Sequence, residues 1–269
     1  MESELQIGAI HKVLNPGFAR GAAHQKSYRY ARIRWRLDRL KQFDFIIPDN
    51  LLLLTADNST DQTFFELQME RHLVPADKYK VIKFNKDKTT PWNNFLKWEK
   101  ILKYIESKET DGKEYILYCD SSDVLFVDSP HNILNNFLSY FNCDLLYNST
   151  SYAKGYKWNA CGHEAVRHYN SKLYEFTSPS DRIGRQCNLN AGLFIGKKDL
   201  VKEVYRDVLA QRPRLKEITT KCRSDQQVLR CIEHKYYPRL QIDGHQRLIV
   251  RCDKIGDLWS VGRITQRWE

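Results

Sequence analysis

Short β-prone runs that alternate with helical stretches constrain this chain more than any other feature. LLLL (51–54), KYKVIKFN (78–85), EYILYC (114–119) and CDLLY (143–147) are each too brief for a core helix and rich in strand-forming residues. Leu51–Leu54 follows Pro48 and Asp49 and runs into the turn-forming DNST, which marks it as a buried strand. Between the runs the periodicity changes. Thr60–Leu73 has helical spacing, and PWNNFLKWEKILKYIES (91–107) sets Phe95, Trp98, Ile101, Leu102 and Ile105 on one stripe, with Asn94 and Lys97 on a neighbouring face. NILNNFLSYF predicts another helix, between strands at Val124–Val127 and Cys143–Tyr147. Apolar strands alternating with helices imply an α/β fold, a mixed and mainly parallel sheet covered on both faces.

The second half carries the same alternation with one interruption. Asn148–Arg185 is polar and aromatic without clear periodicity, and such a stretch in an α/β chain predicts a long functional loop. NLNAGLFIGKKDL then reads as a small-residue turn leading into LFIG. A helix over Asp199–Gln211 follows, with Leu200, Val201, Val204, Tyr205 and Val208 inward. Ser224 and Gln227 fit a capping box opening a further helix, and RLQID predicts a last strand reaching Asp243.

Size and charge bound the rest. The chain has 269 residues, enough for one large domain, with 42% aliphatic and aromatic residues and 28% charged ones. Its formal charge of +10 suits anionic partners, and the excess gathers in HQKSYRYARIRWRLDRLKQ, His24 to Gln42. We therefore expect a basic helical N-terminal extension over 1–45 and a single catalytic domain over 46–269. Residues 24–42 are the surface for any peripheral membrane contact, packed by Tyr28, Ile33, Trp35 and Leu37. The start, MESELQIGAIHKVLNPG, lacks the basic-then-apolar pattern of a signal peptide, and no run is long enough to span a membrane. The expected location is cytoplasmic, unless the chain is a domain of a larger protein. Seven scattered cysteines, with no C-x-x-C, predict reduced and mostly buried thiols.

Two acids raise the chemical question. In YILYCDSSDVLFV (115–127), Asp120 and Asp123 stand between apolar runs, where an unpaired carboxylate is costly and a cation is the remedy. That cation can be an arginine, a lysine or a metal. Asp120 falls just after a strand, at the carboxyl end where open α/β sheets bind ligands. If SSD turns back, Asp123 joins it in a hard oxygen site of the kind Mg²⁺ or Mn²⁺ takes, with phosphates and water as further ligands.

The order strand, CDSSDVLFV, NLNAGLFIG, SDQQ resembles a metal-dependent GT-A glycosyltransferase, and most closely the glycosyltransferase domain of lysyl hydroxylases and collagen-type relatives. That family carries D-S-Y-D-V, L-N-S-G-G-F-I-G and D-D-Q in the same order, and the resemblance spans about Leu51 to Val250. It implies a GT-A, Rossmann-like fold. Asp120 and Asp123 resemble the family's metal pair, and Ser122 stands where an aromatic residue stacks near the nucleotide. Thr55, Ala56 and Asp57 resemble the start of the uridine pocket. Lys97 matches a lysine that pairs with the diphosphate. Asn190, Ala191 and Gly192 resemble the N-S-G turn facing donor sugar and acceptor, and Asp225 and Gln226 the acidic segment beside the reacting sugar. The family completes its metal site with a histidine of an H-G-N-G segment, which this sequence lacks. His245, in IDGHQ, is the nearest substitute, with Asp243 as a competing candidate. Cys161, His163 and His168 are expected in a loop over the acceptor site; HEAVRH is not H-E-x-x-H, so the metalloprotease pattern fails.

The expected function is transfer of a sugar from a nucleotide-diphosphate donor, a UDP-sugar by resemblance, to a glycan or glycoconjugate hydroxyl, with Mn²⁺ or Mg²⁺ as cofactor. Asp225 is the candidate base if the reaction inverts. No nucleic-acid partner is expected. The alternatives are a nucleotidyltransferase on a related fold and a basic RNA- or membrane-binding module. A haloacid-dehalogenase-type phosphatase needs D-x-D, and position 122 is serine.

Overall fold

The computed structural model describes residues 9–11, 42–58, 61–84, 94–122, 124–150, 188–214, 225–244 and 246–251. Its centre is a six-stranded sheet. The strands are β2 (Leu51–Asp57), β3 (Tyr79–Lys83), β4 (Tyr115–Cys119), β6 (Leu145–Thr150), β7 (Asn188–Lys197) and β8 (Leu240–Ile242), in the order β3-β2-β4-β7-β6-β8. β2 runs parallel to β3 and β4, and β6 parallel to β8, while β7 is antiparallel to both β4 and β6. The sheet is thus mixed and mainly parallel, as the alternation predicts. One strand between two parallel groups breaks the rule.

Helices cover both faces. On one side α2 (Asn94–Ile105), α4 (Lys198–Ala210) and α5 (Asp225–Ile232) bury Phe95, Trp98, Ile101, Val204, Tyr205 and Leu229 against Leu52, Leu54, Ile116, Tyr118 and Phe194. On the other, α1 (Phe64–Arg71) and α3 (Pro130–Tyr140) bury Phe65, Met69, Ile133 and Phe137 against Leu51, Leu53, Leu117, Cys119 and Ile195. Alternate residues of one strand therefore enter different cores. That two-sided burial is why LLLL and YILYC are continuously apolar.

A second, three-stranded sheet abuts this layer. β1 (Ala9–His11) lies between β5 (Val124–Phe126), to which it is antiparallel, and β9 (Ile249–Arg251), to which it is parallel. This corrects the expected helical extension at its beginning: Ala9–His11 is strand and Ala9 is buried in the core of the body. Residues 12–41, with most of the basic 24–42 segment, lie outside the described residues. From Phe43 the chain is tied down by rings. Phe45 stacks on His72 at 4.9 Å and meets Phe126 edge-on at 5.6 Å.

Two further expectations need correction. Asn190–Gly192 is not a turn: it is part of β7, whose ten residues continue without a break into α4. The expectation of reduced thiols holds for Cys119 and Cys143, which are free, whereas Cys231 is disulfide-bonded. No helix among the described residues is long and apolar enough to cross a membrane.

Candidate functional site

Strand directions decide which residues can meet. β2, β4, β6 and β8 end on the same side of the sheet, and antiparallel β7 begins there. Thr55–Asp57, Asp120, Asn190–Gly192 and Asp243 accordingly share one edge. Hydrogen bonds stitch that edge together. Thr55 Oγ1 donates to the Cys119 carbonyl at 2.6 Å, Ser121 Oγ to Asp57 Oδ1 at 2.9 Å, and the Asp120 amide to the Gly192 carbonyl at 2.7 Å. Thr55 and Ala56 are buried there, and Ser122 is half-buried in the turn after β4.

The cation beside Asp120 is a lysine. Lys97, on α2, is only 8% exposed, and its Nζ lies 3.7 Å from Asp120 Oδ1. A lone ammonium at that depth would cost several kcal/mol in lost hydration, which a facing carboxylate offsets. The same nitrogen stands 5.6 Å over the Tyr118 ring, and the Tyr118 hydroxyl donates to Asp120 Oδ1 at 2.9 Å. Tyr118 is itself fixed by a stacked Phe194 at 5.2 Å. Tyr118, Lys97 and the β4 backbone thus orient one carboxylate whose side chain keeps 36% exposure. Solvent reaches it, and so can a ligand.

Asp57 sits in a second charged knot. Its Oδ2 is 3.5 Å from Lys83 Nζ, which also reaches Glu66 Oε2 at 3.1 Å. Glu66 closes a capping box with Thr63 at the start of α1. Burial pushes the Glu66 carboxyl up, but the Thr63 bonds and Lys83 outweigh it and hold the group below its ordinary range. The first turn of α1 is joined to the acid-bearing turn directly, by the Phe65 amide donating to the Ser121 carbonyl at 3.0 Å.

The small residues of NAG form a bulge. On the β6 side the register jumps from Tyr147 opposite Phe194 to Asn148 opposite Asn190, so Ala191–Leu193 have no partner in β6. Side chains satisfy amides that the ladder leaves behind: Gly192 donates to Asn190 Oδ1 at 2.9 Å and Ala191 to Gln226 Oε1 at 3.3 Å. Gln226 thereby pins the beginning of α5 against the bulge, and a second bond, Arg230 Nε to the Leu189 carbonyl at 2.9 Å, does the same one turn on. Asp225 is the first residue of that helix.

Not every predicted ligand comes into view. Asp123, His245, Cys161, His163 and His168 lie outside the described residues, as does the Ser224 cap. Among the described residues no three His, Cys, Asp or Glu side chains converge to hold a metal ion. Asp243 is at the right edge but differently employed: its buried carboxylate accepts the amides of Arg247, Leu248 and Ile249 at 2.8–2.9 Å and shapes the turn into β9. What the described residues offer a metal is one oriented carboxylate. A hard oxygen donor of this kind fits Mg²⁺ or Mn²⁺ when phosphate and water complete the shell.

Sequence reasoning passed over Tyr118, Ser121 and Lys83. Tyr118 could have been found from strand alternation, since residues two apart on β4 point the same way and Asp120 follows it by two. No comparable signal marks Lys83 or Ser121, which matter through residues distant in the chain.

No protein-family model matches the chain, and no curated protein matches it either. Among solved structures, similarity is found to 4-diphosphocytidyl-2C-methyl-D-erythritol synthase from Anaerococcus prevotii, at 12% identity and TM-score 0.39 over 81% of this chain and 98% of that one. Mouse xyloside xylosyltransferase 1 is similar at 12% identity and TM-score 0.43, over 82% of this chain and 81% of that one. Likenesses this distant assign neither a fold family nor an activity. The mixed α/β sheet and the edge just described are the chain's own.

Proposed function

We infer that this protein is a glycosyltransferase of GT-A type that moves a sugar from a nucleotide-diphosphate donor, a UDP-sugar, to a hydroxyl of a glycan or glycoconjugate. The observation that carries this reading is the Asp120–Lys97 pair at the carboxyl edge of the sheet, with Gly192 bonded to the Asp120 backbone. One acidic and one basic group side by side would suit a diphosphate bound with a divalent cation: Asp120 would hold the cation and Lys97 would offset the phosphate charge. Bound there, Mn²⁺ or Mg²⁺ would stabilise the charge that develops on the diphosphate as it leaves.

The chain's own residues have separable tasks in this reading. Asp120 is the fixed protein ligand, with Asp123 and His245 as its proposed companions. Thr55, Ala56 and Asp57 line the nucleoside end, and Ser122 borders it. The bulge at Asn190–Gly192, braced by Gln226, faces the donor sugar and the acceptor. Asp225, at the head of α5, is the proposed base for the acceptor hydroxyl if the configuration inverts.

Calorimetry with UDP, GDP and CDP sugars, with and without Mn²⁺, tests the reading. The expected result is Mn²⁺-dependent UDP binding that disappears in Asp120→Ala. Binding that ignores the metal, or survives Asp120→Ala, would overturn it. Product analysis with a UDP-sugar against a nucleoside triphosphate separates glycosyl from nucleotidyl transfer on the same edge.

A further inference from the structure

We propose that Ser121 is a positioning residue for the nucleotide: it holds the carboxylate of Asp57, at the nucleoside end of the site, in one orientation, so that nucleoside binding depends on it and diphosphate binding does not. This rests on the proposed function for the class of ligand, whereas the joint between Ser121 and Asp57 is read from the geometry.

Ser121 is buried and bonded in two directions. Its hydroxyl donates to Asp57 Oδ1 at 2.9 Å, at the end of β2, and its carbonyl accepts the Phe65 amide of α1 at 3.0 Å. The preceding amide, of Asp120, donates to the Gly192 carbonyl of β7 at 2.7 Å. The backbone of the turn is therefore held by α1 and β7, and neither bond needs the Ser121 side chain. The hydroxyl serves Asp57 instead. Across the same carboxylate, Lys83 Nζ stands 3.5 Å from Oδ2 and is itself kept in place by Glu66 Oε2 at 3.1 Å and the Asp61 carbonyl at 3.3 Å. The terminal torsion of an aspartate is broad, and a donor at each oxygen narrows it. Its side chain keeps 12% exposure, which leaves a ligand a small opening to meet it. A carboxylate accepts hydrogen bonds and donates none, so the nucleoside groups that suit it are a base N–H or a ribose hydroxyl. Such a bond is directional, and an acceptor free to swing makes it poorly.

Removing the hydroxyl should therefore separate the two ends of the nucleotide. Calorimetry on the full chain, at one fixed Mn²⁺ concentration, compares the wild type with Ser121→Ala for UDP and for inorganic pyrophosphate. UDP affinity is expected to fall about tenfold in the variant while pyrophosphate affinity stays as it was. A turn that had merely lost its shape would weaken both ligands together. Equal losses for the two, no loss for either, or a wild type that binds UDP but not pyrophosphate overturns the role of Ser121 and leaves the proposed function standing. If the wild type takes UTP but no UDP, and Ser121→Ala selectively weakens UTP, the role holds and the glycosyltransferase reading fails. A wild type that binds no nucleotide overturns both. Ser121→Cys, of nearly the same shape but a much weaker donor, gives the same comparison should the alanine variant not fold.

Discussion

Glu233, in the short 3₁₀ turn after α5, is a carboxyl group placed where ionisation is unfavourable. Burial pushes its pKa up to about 8, and the Arg230 guanidinium pulls in the other direction without prevailing. In the unfolded chain the group ionises near its ordinary 4.5. Between those values the folded protein keeps a proton that the unfolded chain has lost. Its contribution to stability is therefore whole below about 4.5, declines as the pH rises toward 8, and is flat above that. Glu66 and Asp144 act in the opposite sense. Thr63 and Lys83 hold the first below its ordinary value, against burial, and Lys197 and Arg239 the second, so their stabilisation is lost as the pH falls through the acid range. We predict that Glu233→Gln removes the decline between about pH 4.5 and about pH 8. Melting temperatures measured from about pH 5 to about pH 9 test it, and an unaltered slope in the variant would be the contrary result. Tyr118→Phe is the second residue-scale prediction. The ring keeps its stack on Phe194 and loses the bond to Asp120. Stability should fall by about 1 kcal/mol or less, because Asp120 remains partly solvated, whereas Mn²⁺-dependent UDP binding should weaken several-fold. Equal binding in the two proteins would remove Tyr118 from the site.

At the scale of elements, the hydrogen bonds of one side chain fasten α1 to β5. Buried Gln68 donates to the Val124 carbonyl at 2.8 Å and accepts the Phe126 amide at 2.9 Å, acting as a short strand for the open edge of β5. Gln68→Leu leaves both backbone groups without that partner, and should lower unfolding free energy by about 2–4 kcal/mol in denaturant titrations. A change below about 0.5 kcal/mol would mean that water replaces the amide. Gly196 is the corresponding point on β7. A methyl there would stand 2.6 Å from the Asp144 carbonyl and 2.7 Å from Leu145 Cα, both main chain, so β6 would have to retreat. Gly196→Ala is predicted to cost about 1–3 kcal/mol, read from the same titration. These elements also show what the sequence could convey. Apolar runs such as LLLL and YILYC declare buried strands because two helical layers cover them, and the stripe of α2 declares its buried face directly. β7 does not declare itself. Its small residues serve a bulge whose amides are satisfied by Asn190 and Gln226, and a local reading of NAG cannot distinguish that from a turn. Lys97 was visible as a helix position near the acids, but its burial depends on how α2 lies against β4.

The whole molecule is joined by its beginning and its end. β1 has β5 on one side and β9 on the other, so its removal would expose two strand edges at once. Deleting residues 1–11 should lower the melting temperature and promote association at high concentration. A truncated chain that melts with the full one and stays dispersed would show that β5 and β9 close on each other. Charge patterning could not announce this strand, because the three residues AIH carry no period to read and their partners are remote in sequence. The position of β7 has a consequence in time as well as in space. Its central place in the sheet, between β4 and β6, is filled by a segment that follows both in the chain. On a ribosome, β2, β3 and β4 emerge first and can pair as a parallel sheet, with Asp120 already at its edge. The Gly192 carbonyl that meets the Asp120 amide arrives only after the long intervening segment, through a slow closure over distant contacts. The edge that we assign to donor binding is therefore among the last parts of the protein to exist, and nascent chains that stop before β7 carry the acid without its site.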